Sequence, residues 1–396
     1  MSSFFFLIYL FSKSIYFGVL SILSKTHVEG SRVFVYYNIF LALIIIIIAL
    51  INIVKGKGVF EKRKIFIVFS LIMFLVYFLL NFTISGQPQI LSQLLTYFIG
   101  FTIPAVVLGL NIKNADLAKL FQKMKYINIF LIISFIIASF NNYDPIYNFN
   151  TISGASHLLI GYTLSALFPF NFIKFVTSKS KLNKFIYLTT SAICVFLIMF
   201  SGSKGGFVSV VLSSIFLLKK YVLKGRKIVN FMFFLIFSTI LILLIDFDFS
   251  DTFWRISTLF SGDFNTASSG RGIYFDTAFE VVRKYPLFGA GLTYYSEFFG
   301  EYTYPHNIFL EVLTIFGYVG LLIFLLLLVK PFKTLKFFLK QENFSYVFFA
   351  LLFINTMVEL VFSGSFLYNH QFWLCIITLY TFSKKNDPNR EVAEIK

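Results

Sequence analysis

Apolar residues in this chain fall into runs of about 20, the length a helix needs to cross a ~30 Å hydrocarbon layer. Short polar segments separate the runs. Twelve can be drawn, at 4–23, 33–54, 65–85, 89–110, 126–140, 155–176, 184–201, 205–223, 228–246, 307–329, 344–362 and 366–383. Lipid cannot satisfy unpaired backbone N–H and C=O groups, so spans of this length are predicted to be helices. The one long polar interruption is 247–305, and a connector of that length is usually functional. Within it, Thr277–Val282 reads as part of a short helix that starts near Gly270 and Arg271, ends at Tyr285-Pro286 and lies across the mouth of the bundle.

Composition agrees with this pattern. Of 396 residues, 58% are hydrophobic and 13% charged, against about 25% charged in soluble domains. The formal net charge is +16, and the position of the charges decides what that excess means. Nucleic-acid binders cluster basic residues on one face or tail. Here most of the 34 Lys and Arg sit in every second loop and in the C-terminal tail. That alternation is the positive-inside pattern, and it predicts both termini in the cytoplasm. It also puts 247–305 on the outer face, 306–383 back in the membrane as spans ten to twelve, and 384–396 in a cytoplasmic tail, with 1–246 supplying spans one to nine. No basic n-region or small-residue cleavage site precedes the first run, which reads as a retained span. Lys13 falls within that run or at a break in it. Cys194 and Cys375 lie in apolar runs as small hydrophobes, with no disulfide framework.

Candidate chemistry gathers on the predicted outer side. Arg255, Arg271, Arg283 and Lys284 carry positive charge in the long segment, and guanidinium forks match phosphate oxygens, so Arg271 and Arg255 could hold a diphosphate. His306 is the imidazole that follows that segment directly, fixed between Pro305 and Asn307 at the start of a helix. A near-neutral pKa makes histidine the usual base for a hydroxyl nucleophile. A second constellation, Ser201-Gly202-Ser203-Lys204-Gly205-Gly206, sets Ser203 and Lys204 at a helix N-terminus where backbone N–H groups could face an anion. Glu311 and Glu359 lie within spans, where an ionised side chain needs a partner or water. The four histidines, His27, His157, His306 and His370, show no metal-ligand spacing and no acidic cluster, so no metal site is expected.

The order Ser269-Gly270-Arg271-Gly272, then Tyr285-Pro286-Leu287-Phe288-Gly289-Ala290-Gly291, then His306-Asn307-Ile308-Phe309-Leu310-Glu311 and Phe316-Gly317-Tyr318-Val319-Gly320 resembles the signature region of the O-antigen polymerase and ligase superfamily. The resemblance implies an all-α polytopic integral membrane protein, GT-C-like, with about twelve transmembrane helices and one large periplasmic loop carrying short helices. It implies a glycosyltransferase of the bacterial inner membrane, needing no cofactor or metal, with an undecaprenyl-diphosphate-linked glycan as donor. By position, His306 matches the base acting on the acceptor hydroxyl and Arg271 a group engaging the diphosphate. Lys204 stands where the family motif usually carries Arg, keeping the charge but not the fork, and Ile315 where relatives often carry an acidic residue. Ser203, Arg255, Asn307 and Glu311 complete the expected substrate-binding set.

Three functions compete on sequence. A Wzy-type polymerase joining oligosaccharide repeat units is favoured by the extreme Phe, Ile and Lys usage, typical of strain-variable surface-polysaccharide clusters. A WaaL-type ligase or a protein O-oligosaccharyltransferase would use the same donor with another acceptor. A flippase or transporter would place broken or charged helices near the bilayer midplane and show paired halves, and no repeat symmetry is visible. Expected partners are the lipid-linked glycan, the bilayer, and a chain-length regulator and flippase of the same pathway, with no nucleic acid.

Overall fold

The computed structural model describes residues 3–23, 32–54, 67, 71–80, 87–112, 114–141, 151–152, 155–222, 271–300 and 303–382. His27, Arg255, the ninth expected span at 228–246 and the tail at 384–396 lie outside them. The described chain is helical apart from one small hairpin, Thr151–Ile152 (β1) with Ala155–Ser156 (β2). The helices are Ser3–Leu10 (α1), Ser12–Ile22 (α2), Arg32–Val54 (α3), Pro88–Tyr97 (α4), Ile103–Asn111 (α5), Asn114–Asn141 (α6), His157–Thr177 (α7), Lys181–Ser201 (α8) and Lys204–Leu217 (α9). They continue with Gly272–Lys284 (α10), Tyr294–Glu297 (α11), Ile308–Lys340 (α12), Phe344–Phe362 (α13) and His370–Thr381 (α14).

Six helical stretches among the described residues are long and apolar enough to cross a membrane: Pro88–Asn111, Asp116–Ile137, Leu158–Thr177, Lys181–Ser201, Ile308–Lys340 and Phe344–Phe362. The protein is a polytopic, all but wholly helical membrane protein, and six of the twelve expected spans are matched by helices of spanning length. Of the other six, the second is one unbroken helix, α3, the third is described only at 67 and 71–80 and the ninth not at all, and three are modified. The first run breaks at Phe11 between α1 and α2, one residue short of Ser12 and two short of Lys13. The eighth run is α9 followed by a π-helical turn, Leu218–Val222, and the twelfth begins as a turn, with helix only from His370.

Two helices outrun their apolar runs. Helix α6 begins at Asn114, so Lys119, Lys123 and Lys125, expected in a loop, are helical. Helix α12 continues to Lys340 past Pro331. Long basic side chains permit this because their stems cover apolar surface while the charge reaches water, and Lys125 lies over the Tyr126 ring at 4.8 Å.

Buried polar side chains tie the bundle together. Asn355 of α13 accepts at Oδ1 from Ser165 of α7 and Ser209 of α9, both at 2.5 Å. Its Nδ2 donates to the Tyr162 carbonyl at 3.2 Å. Asn128 and Asn171 bond reciprocally between α6 and α7 at 2.9 and 2.7 Å. Such contacts register helices where apolar contact alone gives little preference for one partner over another.

The signature glycines form a backbone lock. Helix α12 is interrupted at Gly317, whose φ of 65° lies in the left-handed region. The interruption leaves carbonyls and amides that lipid could not satisfy, and residues 286–291 satisfy them. Ala290 and Gly291 N–H donate to the Thr314 and Ile315 carbonyls at 2.8 and 3.2 Å, and Tyr318 and Val319 N–H donate to those of Pro286 and Leu287 at 2.8 and 3.1 Å. A Cβ on Gly317 would come within 2.4 Å of the Leu287 oxygen, and one on Gly289 within 2.4 Å of the Ile315 carbonyl. Part of the expected loop is therefore held against a span, about two turns below its start, with the Leu287 and Phe288 side chains exposed.

Candidate functional site

The site forms around the C-terminal end of α13. The last carbonyls of a helix lack intrahelical partners and carry the negative end of its dipole, so donors collect there. The Asn307 side chain donates to the Val361 carbonyl at 3.3 Å, and Arg271 Nη1 donates to that of Phe362. The Ser363 carbonyl accepts from Tyr304 Oη at 2.7 Å and faces His306 Nδ1 at 3.3 Å. Chain distance hides this arrangement, since 57 residues separate His306 from Ser363.

Local sequence explains why each side chain arrives there. Asn307 caps α12, its Oδ1 accepting from Phe309 and Leu310 N–H at 3.0 and 3.2 Å, which starts the helix two residues after His306, at Ile308. His306 has φ 54°, the one positive φ at a non-glycine among the described residues. Such conformations cost of order 1–3 kcal/mol and cluster at functional sites. Tyr304 and Tyr274 clasp the imidazole, with ring centroids at 4.4 and 5.4 Å. Arg271 occupies the position just before α10, so the expected short helix exists and delivers the guanidinium.

Burial and the nearby Arg271 guanidinium lower the His306 pKa from 6.5 to about 4, against a smaller opposing effect of the Ser363 carbonyl. Sequence reasoning expected a near-neutral group. Desolvation disfavours the imidazolium, so at neutral pH the ring is uncharged, with a lone pair free to accept a proton but a weaker basicity than a free imidazole. One of the five N–H donors of Arg271 is committed to Phe362 among the described residues.

The other expected residues have separate duties. Ser203 is fully buried and caps α9, its Oγ accepting from Gly206 N–H at 3.2 Å, so its hydroxyl is part of the turn. Glycines there admit a close neighbour: a Cβ on Gly205 would come within 1.9 Å of the Tyr162 hydroxyl. Tyr162 Oη in turn accepts from Ser363 Oγ at 3.3 Å. The Ser201–Gly206 turn, with half-buried Lys204 in its first helical position, is thereby joined to the His306 cluster through Tyr162. Glu311 is buried and accepts from Ser365 Oγ and from Phe366 N–H at 3.1 Å, fastening α12 to the turn before α14. It sits behind the cluster as a brace. Arg283 and Lys284 lie at the far end of α10 from Arg271, and Lys284 donates to the Tyr294 hydroxyl at 2.8 Å, which raises its pKa.

A cavity of about 200 Å³ opens beside the cluster, with Tyr304 and Ser363 in its wall. Its lining includes Lys13, Tyr162, Glu359, Tyr368 and His370. Sequence reading noted Lys13 and Glu359 as charges in apolar runs and gave them no place, and missed Tyr304, Tyr162 and Tyr368. Among the described residues no group of three His, Cys, Asp or Glu is arranged to hold a metal.

Residues 189–325 match a family model described as O-antigen ligase. That match supports the O-antigen polymerase and ligase superfamily for this chain, polymerase and ligase not being distinguished. It covers about a third of the sequence and includes Ser203, Lys204, Arg271, His306, Asn307 and Glu311. The α13 carbonyls that the cluster engages, and Lys13, Glu359 and His370, lie outside it. No curated protein and no solved structure matches the chain.

Proposed function

We propose that the protein is a surface-polysaccharide polymerase, joining oligosaccharide repeat units carried on undecaprenyl diphosphate at the periplasmic face of the inner membrane. The observation that carries this reading is His306, held in a left-handed conformation beside Arg271, next to a cavity lined largely by polar residues and inside the family segment. A lipid diphosphate is already a competent leaving group. Catalysis then needs cations to meet the charge developing on it and a base to remove one hydroxyl proton from the acceptor. His306 is the base, Arg271 and Lys204 supply charge, and Asn307 and Glu311 position the helix that carries the base. The acceptor oxygen forms its bond to the anomeric carbon as the bond to the diphosphate breaks, and the acceptor proton passes to His306.

The family description names a second reading, in which a ligase transfers the glycan from the same donor to a different acceptor. Complementation of a deletion strain separates the two. Loss of a polymerase leaves single repeat units on the lipopolysaccharide core, and loss of a ligase leaves none. With membrane expression confirmed, His306→Ala and Arg271→Ala are expected to reproduce the single-unit pattern. A full ladder from both variants would remove this cluster from the catalytic centre.

A further inference from the structure

Lys13 and Glu359 come from opposite ends of the chain and both fall in apolar helices, yet they line the same cavity beside His306. Ionisable groups at such positions are costly, and where they persist they face a partner or a watered space with a function. Of the fourteen residues lining the cavity, only Leu158 and Leu159 have aliphatic side chains. That composition is wrong for a prenyl or acyl chain, whose pocket would be mostly apolar, and right for a ligand covered in hydroxyls.

Its walls are built to one shape. Tyr304 and Tyr368 meet edge to face with centroids 6.0 Å apart, making an aromatic corner. The Lys13 ammonium is held over the Tyr368 and Phe101 rings at 5.2 and 5.3 Å, which fixes a cation on the same wall. The Glu359 carboxyl and the Asn369 and Gln371 amides add hydrogen-bonding groups. The Tyr304 hydroxyl and His306 share the Ser363 carbonyl, so a ring seated in the corner would lie next to the imidazole.

We infer that this cavity is the acceptor-sugar subsite: it seats one pyranose ring of the acceptor glycan against Tyr304 and Tyr368, with Glu359 and Lys13 holding its hydroxyls so that one hydroxyl faces His306. The inference rests on the glycosyl-transfer reading above and assigns specificity to Lys13, Glu359 and Tyr368, outside the family segment, together with Tyr304 inside it. It predicts that acceptor choice depends on α2, α13 and the turn before α14, while donor binding depends on Arg271 and Lys204.

The test uses full-length protein in lipid nanodiscs and two readouts. One is binding of free oligosaccharide, prepared as single repeat units from the strain's own surface polysaccharide. The other is transfer at varied donor and acceptor concentrations. Tyr368→Ala and Glu359→Gln are expected to weaken oligosaccharide binding and raise the acceptor KM by about tenfold or more, leaving the donor KM unchanged. Tyr368→Phe keeps the aromatic wall and should restore most of the binding, which a loss of fold would not. A changed donor KM with an unchanged acceptor KM would overturn the assignment, as would wild-type binding by every variant. If the wild-type protein binds the oligosaccharide and loses it in Tyr368→Ala but transfers nothing, the subsite stands and the polymerase reading falls.

Discussion

Two regions of the signature segment use similar elements to opposite ends. In the lock between 286–291 and 314–319, a broken helix meets an extended segment, and four backbone hydrogen bonds consume the groups that the break releases. No side chain is needed beyond the absence of one at Gly289 and Gly317. At the end of α13, the released carbonyls are met by side chains, Asn307, Arg271, Tyr304 and His306, which have further donor or acceptor capacity and border a cavity. The first region is closed and stores no reactivity. The second exchanges helix-end electrostatics for a set of polar groups poised at a surface. Similarity to a family motif therefore marks two distinct things here, a scaffold and a site.

The comparison breaks most visibly at Gly317. Gly317→Ala adds a Cβ within 2.4 Å of the Leu287 oxygen at a φ of 65°, and should cost about 3 kcal/mol or more. Size-exclusion of the detergent-extracted protein should show lost folded material rather than an inactive folded enzyme. Gly300 is the control, with φ 69° and open space around it. Gly300→Ala should cost only about 1 kcal/mol of backbone strain.

Next in size is His306→Ala, which should lower transfer by about 10²–10⁴-fold with folded yield unchanged. A matching loss of folded protein would make His306 part of the scaffold and erase the distinction between the regions.

The pH dependence is sharper still as a test of mechanism. The imidazole pKa is held down from 6.5 to about 4, so the unfolded chain takes up a proton on acidification before the folded chain does. The resulting stability is complete above about 6.5 and is lost as pH falls through 6.5 toward 4. Because the base must be uncharged, the acid limb of kcat/KM should fall near pH 4–5. A limb at 6.5 that disappears in the His306 variant would show an exposed imidazole and contradict the clasp by Tyr274 and Tyr304.

The smallest effect is expected at Ser203→Ala. Loss of the α9 cap should cost about 1 kcal/mol, read as a slightly lower Tm. Lys204→Ala should instead raise the donor KM without lowering Tm. If Ser203→Ala also raised the donor KM, its hydroxyl would belong to the anion site rather than to the turn.

How much of this was legible in the sequence follows from the range over which each residue acts. Arg271 and His306 stand out because charge and imidazole are rare in an apolar chain; the end of the 272–284 helix follows from Pro286 and the start of α12 from its Asn307 cap. Their shared target was hidden, because Val361–Ser363 reads as the unremarkable end of an apolar run. Lys13 and Glu359 were readable as costly, but no periodicity joins residue 13 to residue 359. Likewise Gly289 and Gly317 were visible as motif glycines, whereas their mutual contact depends on a pairing that crosses α12. Four of the six helices of spanning length fell where apolar runs placed them, whereas α6 began twelve residues before its run and α12 ended eleven past it. Runs interrupted by Phe11 or by the turn before His370 kept their apolarity but not an unbroken helix, whereas a π turn, as at Phe98–Thr102, left a helix of spanning length.

The break at Gly317 has a consequence for biogenesis. The backbone partners of the Thr314 and Ile315 carbonyls and of the Tyr318 and Val319 amides come from 286–291, with the Tyr77 hydroxyl adding a 3.4 Å bond to the Ile315 carbonyl, and each such group would cost several kcal/mol if left bare in hydrocarbon. Helix α12 is therefore a poor substrate for insertion by itself, and it must enter the bilayer with residues 286–291 already alongside. Chain synthesis delivers the two in that order, the clasp before the helix it completes. A ribosome-stalling series through residues 280–340 would register the coupling as insertion of α12 that fails when 286–291 is replaced by a flexible Gly-Ser linker.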